Sequence, residues 1–376
     1  MMKLSIYIFV ILVSINDIYA QDPIYSMGFE QKSTMNPSLI GRDGEGVIRT
    51  SIIHRNLYRN FYPEIRGPLH SSNLNVDYSL CNSMFALGLN ANNETQGDGF
   101  LMTNNFSFSS SIRILYPKNK RNILNKIFNM NGTGQLNLGA SFGLLQQKID
   151  WDEFIFSDQL NPIYGNVNTS TNSNMNIVSK ISTDVNIGGD YTNIYDGRNE
   201  SKNAINIGLA FHHINTVNVG ILNDFALPIR YTFHYTWIRK RNKENLANSF
   251  QLMTRFDKQN DFSNLLLRFN YSFLDELSVG IGYRGVYTII GNINSPLFLL
   301  NIYPSSGLNI NFCYEPTVGG ANTIFAGNTF EIGIIYRSSN IYCISNGRLN
   351  VKGGKSSIGK RIPCSLFEKS KSLPPF

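Results

Sequence analysis

The sequence predicts an all-β protein, a transmembrane antiparallel β-barrel of about fourteen strands. Three observations carry that prediction. Apolar and polar residues alternate with a period of two in one segment after another. Only 16% of the 376 residues are charged, while 42% are hydrophobic and 12% aromatic, against roughly 25% charged in an ordinary soluble domain. The chain also opens with an export signal. Past residue 20 no run of about 18 apolar residues occurs, which excludes helical spans. The aromatic content excludes disorder, and four Cys in a chain this long exclude a disulfide scaffold.

The elements follow in chain order. Residues 1–20 (MMKLSIYIFVILVSINDIYA) place Lys3 before the apolar stretch Ile6–Val13 and end on the small Ala20, as in a secretory signal peptide. Cleavage there would start the mature chain at Gln21, and the absence of Cys at the cut excludes a lipid anchor. Export makes the cysteines worth placing. Cys81 and Cys313 fall in or beside apparent strands, Cys343 and Cys364 fall in the C-terminal tail, and the pairing stays open. No close Cys or His pair has metal-ligand spacing.

Residues 21–45 form a leader. Gln21-Asp22-Pro23-Ile24-Tyr25-Ser26 is followed by Asn36-Pro37-Ser38-Leu39-Ile40-Gly41. Pro23 and Pro37 forbid regular pairing and hold the preceding residues extended, and Gly41 supplies a turn. The leader is therefore expected to be ordered, non-helical and folded against or into the barrel mouth.

Residues 46–337 are the barrel. Leu74, Val76, Tyr78 and Leu80 alternate with Asn73, Asn75, Asp77 and Ser79, and Tyr231, Phe233, Tyr235 and Trp237 with Arg230, Thr232, His234 and Thr236. The same holds for Leu277, Val279, Ile281 and Tyr283, and for Leu308, Ile310, Phe312 and Tyr314. Strands are centred near residues 51, 75, 87, 108, 140, 185, 208, 234, 252, 268, 281, 299, 311 and 333, the segment Ser295–Tyr303 being the weakest. The polar face carries Asn, Ser, Gly, Arg and His at mid-strand, as a wet lumen allows. Tyr78, Tyr116, Tyr271, Tyr283, Tyr314 and Tyr336 recur near strand ends, as interfacial girdles require. Segments of about 9–12 residues suit a tilted crossing, and in lipid only a closed sheet satisfies every backbone group. The longest loops are expected at Pro117–Gly132, Ile149–Lys180 and Tyr191–Asn203; Pro117–Met130 reads equally as an amphipathic helix or a solvated basic loop.

Residues 338–376 form a basic tail. Seven Lys or Arg against the single Glu368 leave it at +6 (7 − 1) of the chain's net +7, so the barrel is close to neutral. With the charge in an exported tail, nucleic acid is excluded as a partner. Catalysis is not expected either. His212 and His213 end a strand with one ring expected on each face, His234 points to the polar face, and His54 and His70 flank the first hairpin. No nucleophile elbow, metal motif or phosphate loop accompanies them. No cofactor is expected.

The leader and three later segments resemble the PorP/SprF family of outer-membrane proteins from the type IX secretion and gliding apparatus of Bacteroidetes. Gln21, Asp22, Pro23, Tyr25 and Ser26 match its QDPxFS-like opening, and Asn36, Pro37 and Gly41 its NPAxAG-like turn. Arg55 keeps the Arg of the first-strand motif, with Tyr58 in place of the usual Trp. Leu274–Arg284, with Tyr283 and Arg284, looks like the D-x-L-x-x-G-x-x-Y-R strand, and Phe330–Tyr336, with Glu331 and Tyr336, like the closing H-E-I-x-L-x-Y strand. The resemblance implies a non-enzymatic outer-membrane barrel that supports export or surface retention of a large secreted protein such as an adhesin. Its implied partners are the lipid bilayer, the C-terminal domain of that secreted protein, and periplasmic secretion components. The leader and tail are the expected contact surfaces. The alternative is a porin-like solute channel with Arg230, His234, Arg268, Asn270 and Arg284 lining an open lumen.

Overall fold

A computed structural model describes residues 22–44, 46–59, 69–80, 83–97, 101–116, 133–150, 159–161, 165–166, 178–196, 201–219, 226–243, 246–274, 276–288, 292–305, 307–316, 318, 328–338, 343–345 and 348–350. The signal segment, Gln21, Pro117–Met130, Cys81, Cys364 and most of the basic tail lie outside the described residues.

Fourteen antiparallel strands close into a barrel. They are β1 (Ile48–Arg59), β2 (His70–Ser79), β3 (Phe85–Gln96), β4 (Leu101–Tyr116), β5 (Thr133–Lys148), β8 (Ser182–Asp196), β9 (Ser201–His212), β10 (Arg230–Lys243), β11 (Leu246–Gln259), β12 (Phe262–Leu274), β13 (Leu277–Tyr287), β14 (Asn292–Ser305), β15 (Leu308–Glu315) and β16 (Asn328–Arg337). Each pairs with its neighbours in sequence, and β1 pairs with β16 to complete the ring, Ile53 opposite Gly333. Two-residue strands β6 (Leu160–Asn161) and β7 (Gly165–Asn166) form a separate pair between β5 and β8. A small hairpin of β17 (Cys343–Ser345) and β18 (Arg348–Asn350) follows the barrel.

The period-two pattern becomes a two-faced wall. Ile52, Phe106, Phe142 and Tyr336 are each more than 50% exposed on the outside. Ser51, Asn75, Asp257 and Arg268 are at most 1% exposed on the inside. A soluble sandwich would bury its apolar face, whereas here the apolar face is the outer one. A closed sheet with this exterior satisfies its backbone within lipid.

Every expected strand is present, and the weak segment Ser295–Tyr303 lies within the full strand β14. Two expectations are corrected. Strand lengths run from 8 residues in β15 to 16 in β4 and β5, wider than the 9–12 expected. The loop placed at Tyr191–Asn203 is mostly strand: β8 runs to Asp196 and β9 starts at Ser201, with Asp196 paired to Lys202. Asn193, Asp196 and Lys202 read as loop by composition, but pairing within the ladder satisfies their backbones.

The connections differ between the two ends. The end holding 149–181, 213–229 and 316–327 is the loop end. The other end, with the start of β1 and the finish of β16, holds the short connections after Ser79, Asp196, Lys243, Leu274 and Ser305 and one long one, 117–132; it is called the turn end.

Candidate functional site

The lumen is filled by the leader. From Ile24 to Gly44 almost every leader residue is buried within the ring. Asp22 lies at the loop end, beside residues at the loop-end termini of β9, β10 and β11; Gly46 reaches the turn end, where its N–H donates to the Ser79 carbonyl at 2.8 Å. The leader thus passes through the barrel along its length.

Asp22 is fastened first. Its Oδ2 pairs with His213 Nε2 at 2.7 Å and accepts from Arg230 at 2.6 Å, while His213 Nδ1 meets Asp184 Oδ1 at 2.9 Å. Burial opposes ionisation of Asp22, but His213 and Arg230 outweigh it and hold the carboxyl below the usual carboxylate range. Burial likewise depresses His213, and Asp22 and Asp184 reverse that, raising it to about 9. One expectation is corrected here. The rings of His212 and His213 do not lie on opposite faces; both are 3% exposed inside the ring. His213 follows the last paired residue of β9 and has φ of 61°, and this left-handed turn breaks the alternation.

The next layer binds Ile24–Glu30. Glu331 Oε1 and Oε2 accept the N–H groups of Ser26 (2.7 Å) and Met27 (2.8 Å). Ser26 Oγ donates to Glu315 at 2.7 Å, and Arg284 donates to the Ile24 carbonyl at 2.6 Å. Arg55 pairs with Glu331 at 3.0 Å and also donates to the Ile24 carbonyl. Arg268 makes a bidentate pair with Glu30, both bonds 2.9 Å, and stacks over the Phe29 ring. Between these charges, Tyr25 and Met27 pack with Ile53, Leu266, Leu297, Leu299 and Cys313. Cys313 is a free buried thiol, so it takes no part in disulfide pairing.

Residues 32–35 make one helical turn and Pro37–Leu39 a 3₁₀ turn. Asn36 explains the Asn-Pro motif. Its Oδ1 accepts from Ser38 N–H at 3.0 Å as an N-cap, with Pro37 in the first helical position, where no N–H is needed. Its Nδ2 meanwhile donates to the carbonyls of Gly189 and Leu209, both at 3.2 Å, and lies 3.1 Å from His234 Nε2. Wall glycines make the room: a Cβ at Gly139 would strike the Pro37 and Ser38 backbone, and one at Gly188 the Asn36 side chain. Gly41 turns the chain at φ 68°, with its N–H on Asp77 at 3.0 Å.

At the turn end Asp43 gathers Lys32, Arg337 (2.8 Å) and Arg49 (3.7 Å). Arg42 pairs with Asp190 at 3.2 Å. A cavity of about 50 Å³ is left between leader and wall, room for little more than a water or two.

The residues carried by the resemblance divide into two groups. Asp22, Tyr25, Ser26, Asn36, Pro37, Gly41, Arg55, Arg284 and Glu331 come together in the lumen, and the contacts they make there are intramolecular. Pro23 is half-buried beside them. Tyr283 and Tyr336 point outward and belong to the lipid-facing surface. Sequence reasoning missed Glu30, Asp43, Glu315, Asp190 and His213 as members of the site. For Glu315 and Asp190 the signal was charge at inward strand positions, and for Glu30 and Asp43 it was charge within the leader; His213 left none.

No curated protein matches the chain. Among solved structures it is similar to CdiB from Acinetobacter baumannii, at 8% identity and TM-score 0.40, covering 78% of this chain and 60% of that one. The chain thus spans less than two thirds of CdiB. It is also similar to the toluene transporter TbuX from Ralstonia pickettii (11% identity, TM-score 0.38, covering 81% and 92%) and to the monoaromatic hydrocarbon channel CymD (11% identity, TM-score 0.39, covering 88% and 96%). These are likenesses of outline and carry no function across. Residues 18–336 match the family described as type IX secretion system membrane protein PorP/SprF. With its lipid-facing exterior and that match over most of its length, the chain belongs to the PorP/SprF family of outer-membrane proteins.

Proposed function

We propose that this barrel is a non-catalytic platform of the type IX machinery, supporting export or surface retention of a large secreted protein such as an adhesin, in cells that use the machinery for gliding. The observation that carries this reading is the occupied lumen. A solute channel needs a clear path, whereas here residues 24–44 of the leader lie almost wholly buried within the ring. By the usual asymmetry of such barrels the loop end faces outward and the turn end inward. The loop end would then meet the secreted protein's C-terminal domain, and the basic tail, which begins at the turn end, would meet periplasmic components.

Affinity purification of the tagged barrel from native outer membranes in mild detergent tests the proposal. Recovery of secretion components together with a secreted surface protein is the expected result. Recovery of neither overturns it.

A further inference from the structure

We propose that the outer wall over β1 to β5 binds a glycolipid of the outer leaflet, one whose sugar headgroup carries amide-linked acyl chains. The proposal rests on the orientation given above, with the loop end outward, and not on the secretion reading.

Elsewhere on the loop-end rim the outside carries aromatics. Phe211 on β9, Tyr231 on β10, Tyr287 on β13 and Phe330 on β16 are each more than a third exposed there. Such a belt anchors a barrel at headgroup level without choosing among lipids. Over the five consecutive strands β1 to β5 a different surface takes its place. His54, Ser72, Asn93, Asn104 and Gln146 are direct partners from each strand to the next, so they form one outward row. One outward position nearer the turn end, Ile52, Leu74, Ala91, Phe106 and Leu144 form a parallel apolar row. An open groove of about 600 Å³ is lined by the apolar row and by every member of the polar row except His54. Ala91 is the smallest side chain of the apolar row and leaves the depression between Leu74 and Phe106.

The two rows together select the occupant. Hydrocarbon suits the apolar row but would leave the amides unpaired, which is costly away from water. The polar row satisfies itself only in part. His54 Nδ1 meets Ser72 Oγ at 2.9 Å, and Asn93 Nδ2 donates to Asn104 Oδ1 at 2.8 Å. A side-chain amide has two donors and an acceptor with two lone pairs, so Asn93 and Asn104 keep capacity for further bonds of both kinds. The row contains no Lys or Arg, and Lys148 stands one outward position beyond Gln146. The row therefore reads neutral donors and acceptors rather than phosphate, whose usual partners are cationic. A headgroup offering hydroxyl and amide groups, with acyl chains leaving it on one side, meets both rows at once. The ester linkages of a glycerophospholipid offer acceptors alone.

The test titrates the full chain, purified in mild detergent, with hexa-acylated lipid A and separately with dioleoylphosphatidylglycerol, read by native mass spectrometry. Lipid A is expected to give one saturable adduct per barrel, and the phospholipid none. Asn93→Leu with Asn104→Leu should raise the Kd for lipid A about thirtyfold, as for loss of two hydrogen bonds, with heat-modifiable gel migration unchanged. Tyr231→Leu, on the aromatic part of the rim, should leave the Kd as it was. Should the double variant fail to close, Ala91→Phe, which fills the groove from its floor, gives the same readout.

No saturable lipid A binding, equal binding of the phospholipid, or an unchanged Kd in the folded variants overturns the proposal. Dimers cross-linked through Asn104→Cys would assign this face to a second copy of the chain and overturn it as well. Lipid A binding that is lost in the variants, combined with a purification that recovers no secretion component, would keep this site and remove only the secretion reading.

Discussion

The carboxylate of Asp22 and the imidazole of His213 meet at 2.7 Å, although 191 positions separate them in the chain. Asp184 and Arg230 complete the cluster, so two acids and two bases fasten the start of the leader at the loop end. The pair has a definite working range. His213 has its folded-state value raised above the ordinary 6.5 to about 9, so its contribution is complete below the unfolded value and is lost as pH rises through about 9. Asp22 is held low, so its contribution is present above the ordinary carboxylate value and lost only in strong acid. Openings in bilayers should therefore be rare at neutral pH and increase as pH is raised through about 9. His213→Asn should flatten that profile. An unaltered protein with no alkaline rise would count against the latch.

Arg268 and Glu30 form a buried bidentate pair. Removing one partner strands a charge, at a cost of roughly 3–5 kcal/mol, whereas removing both strands none. Arg268→Ala should therefore lower the temperature of heat-modifiable unfolding more than Arg268→Ala with Glu30→Ala does. The reverse order would mean the pair is not coupled.

Gly139 has no space for a side chain, because the Pro37–Ser38 backbone lies against it. Gly139→Val should displace the Asn36–Gly41 turn while the ring stays closed. The expected readout is frequent channel openings with unchanged gel migration. A silent Gly139→Val protein would show that the leader yields without leaving.

The leader acids Asp22, Glu30 and Asp43 each meet a wall arginine: Arg230, Arg268 and Arg337. Neutralising all three as Asp22→Asn, Glu30→Gln and Asp43→Asn should give openings that prefer anions, read as a reversal-potential shift in a salt gradient. Cation preference would contradict the assignment of these arginines to the lumen.

Phe142 is 53% exposed on the outer face. Phe142→Arg should cost about 2–4 kcal/mol of barrel stability if the side chain sits near the bilayer midplane. Phe142→Ala should cost much less. Equal effects would mean this face does not meet hydrocarbon.

The barrel was legible because alternation is local: each ribbon carries its own record of which side is wet. The filling of the lumen was not, since polar inward positions are equally compatible with water and with a peptide. The clue lay where both faces turn apolar, as in Leu265-Leu266-Leu267 and Leu297–Leu300. There the inward members Leu266, Leu297 and Leu299 break the wet pattern, and they are the residues against which Tyr25 and Met27 pack. His213 escaped because its orientation depends on a left-handed backbone angle that no side-chain pattern records. The family likeness marked Asp22, Asn36 and Glu331 without revealing that the first two lie on the segment inside the ring and that Glu331 holds that segment from the wall.

The seam between β1 and β16 joins the first strand of the cylinder to its last. The hoop can shut only once Arg337 has been delivered to the membrane. By then the stretch ahead of Ile48 has long been available, and the growing sheet can curl around it like a sleeve around a rod. Closure of that seam and enclosure of the leader thus belong to one assembled state, in which the first and last strands meet around the segment that precedes them.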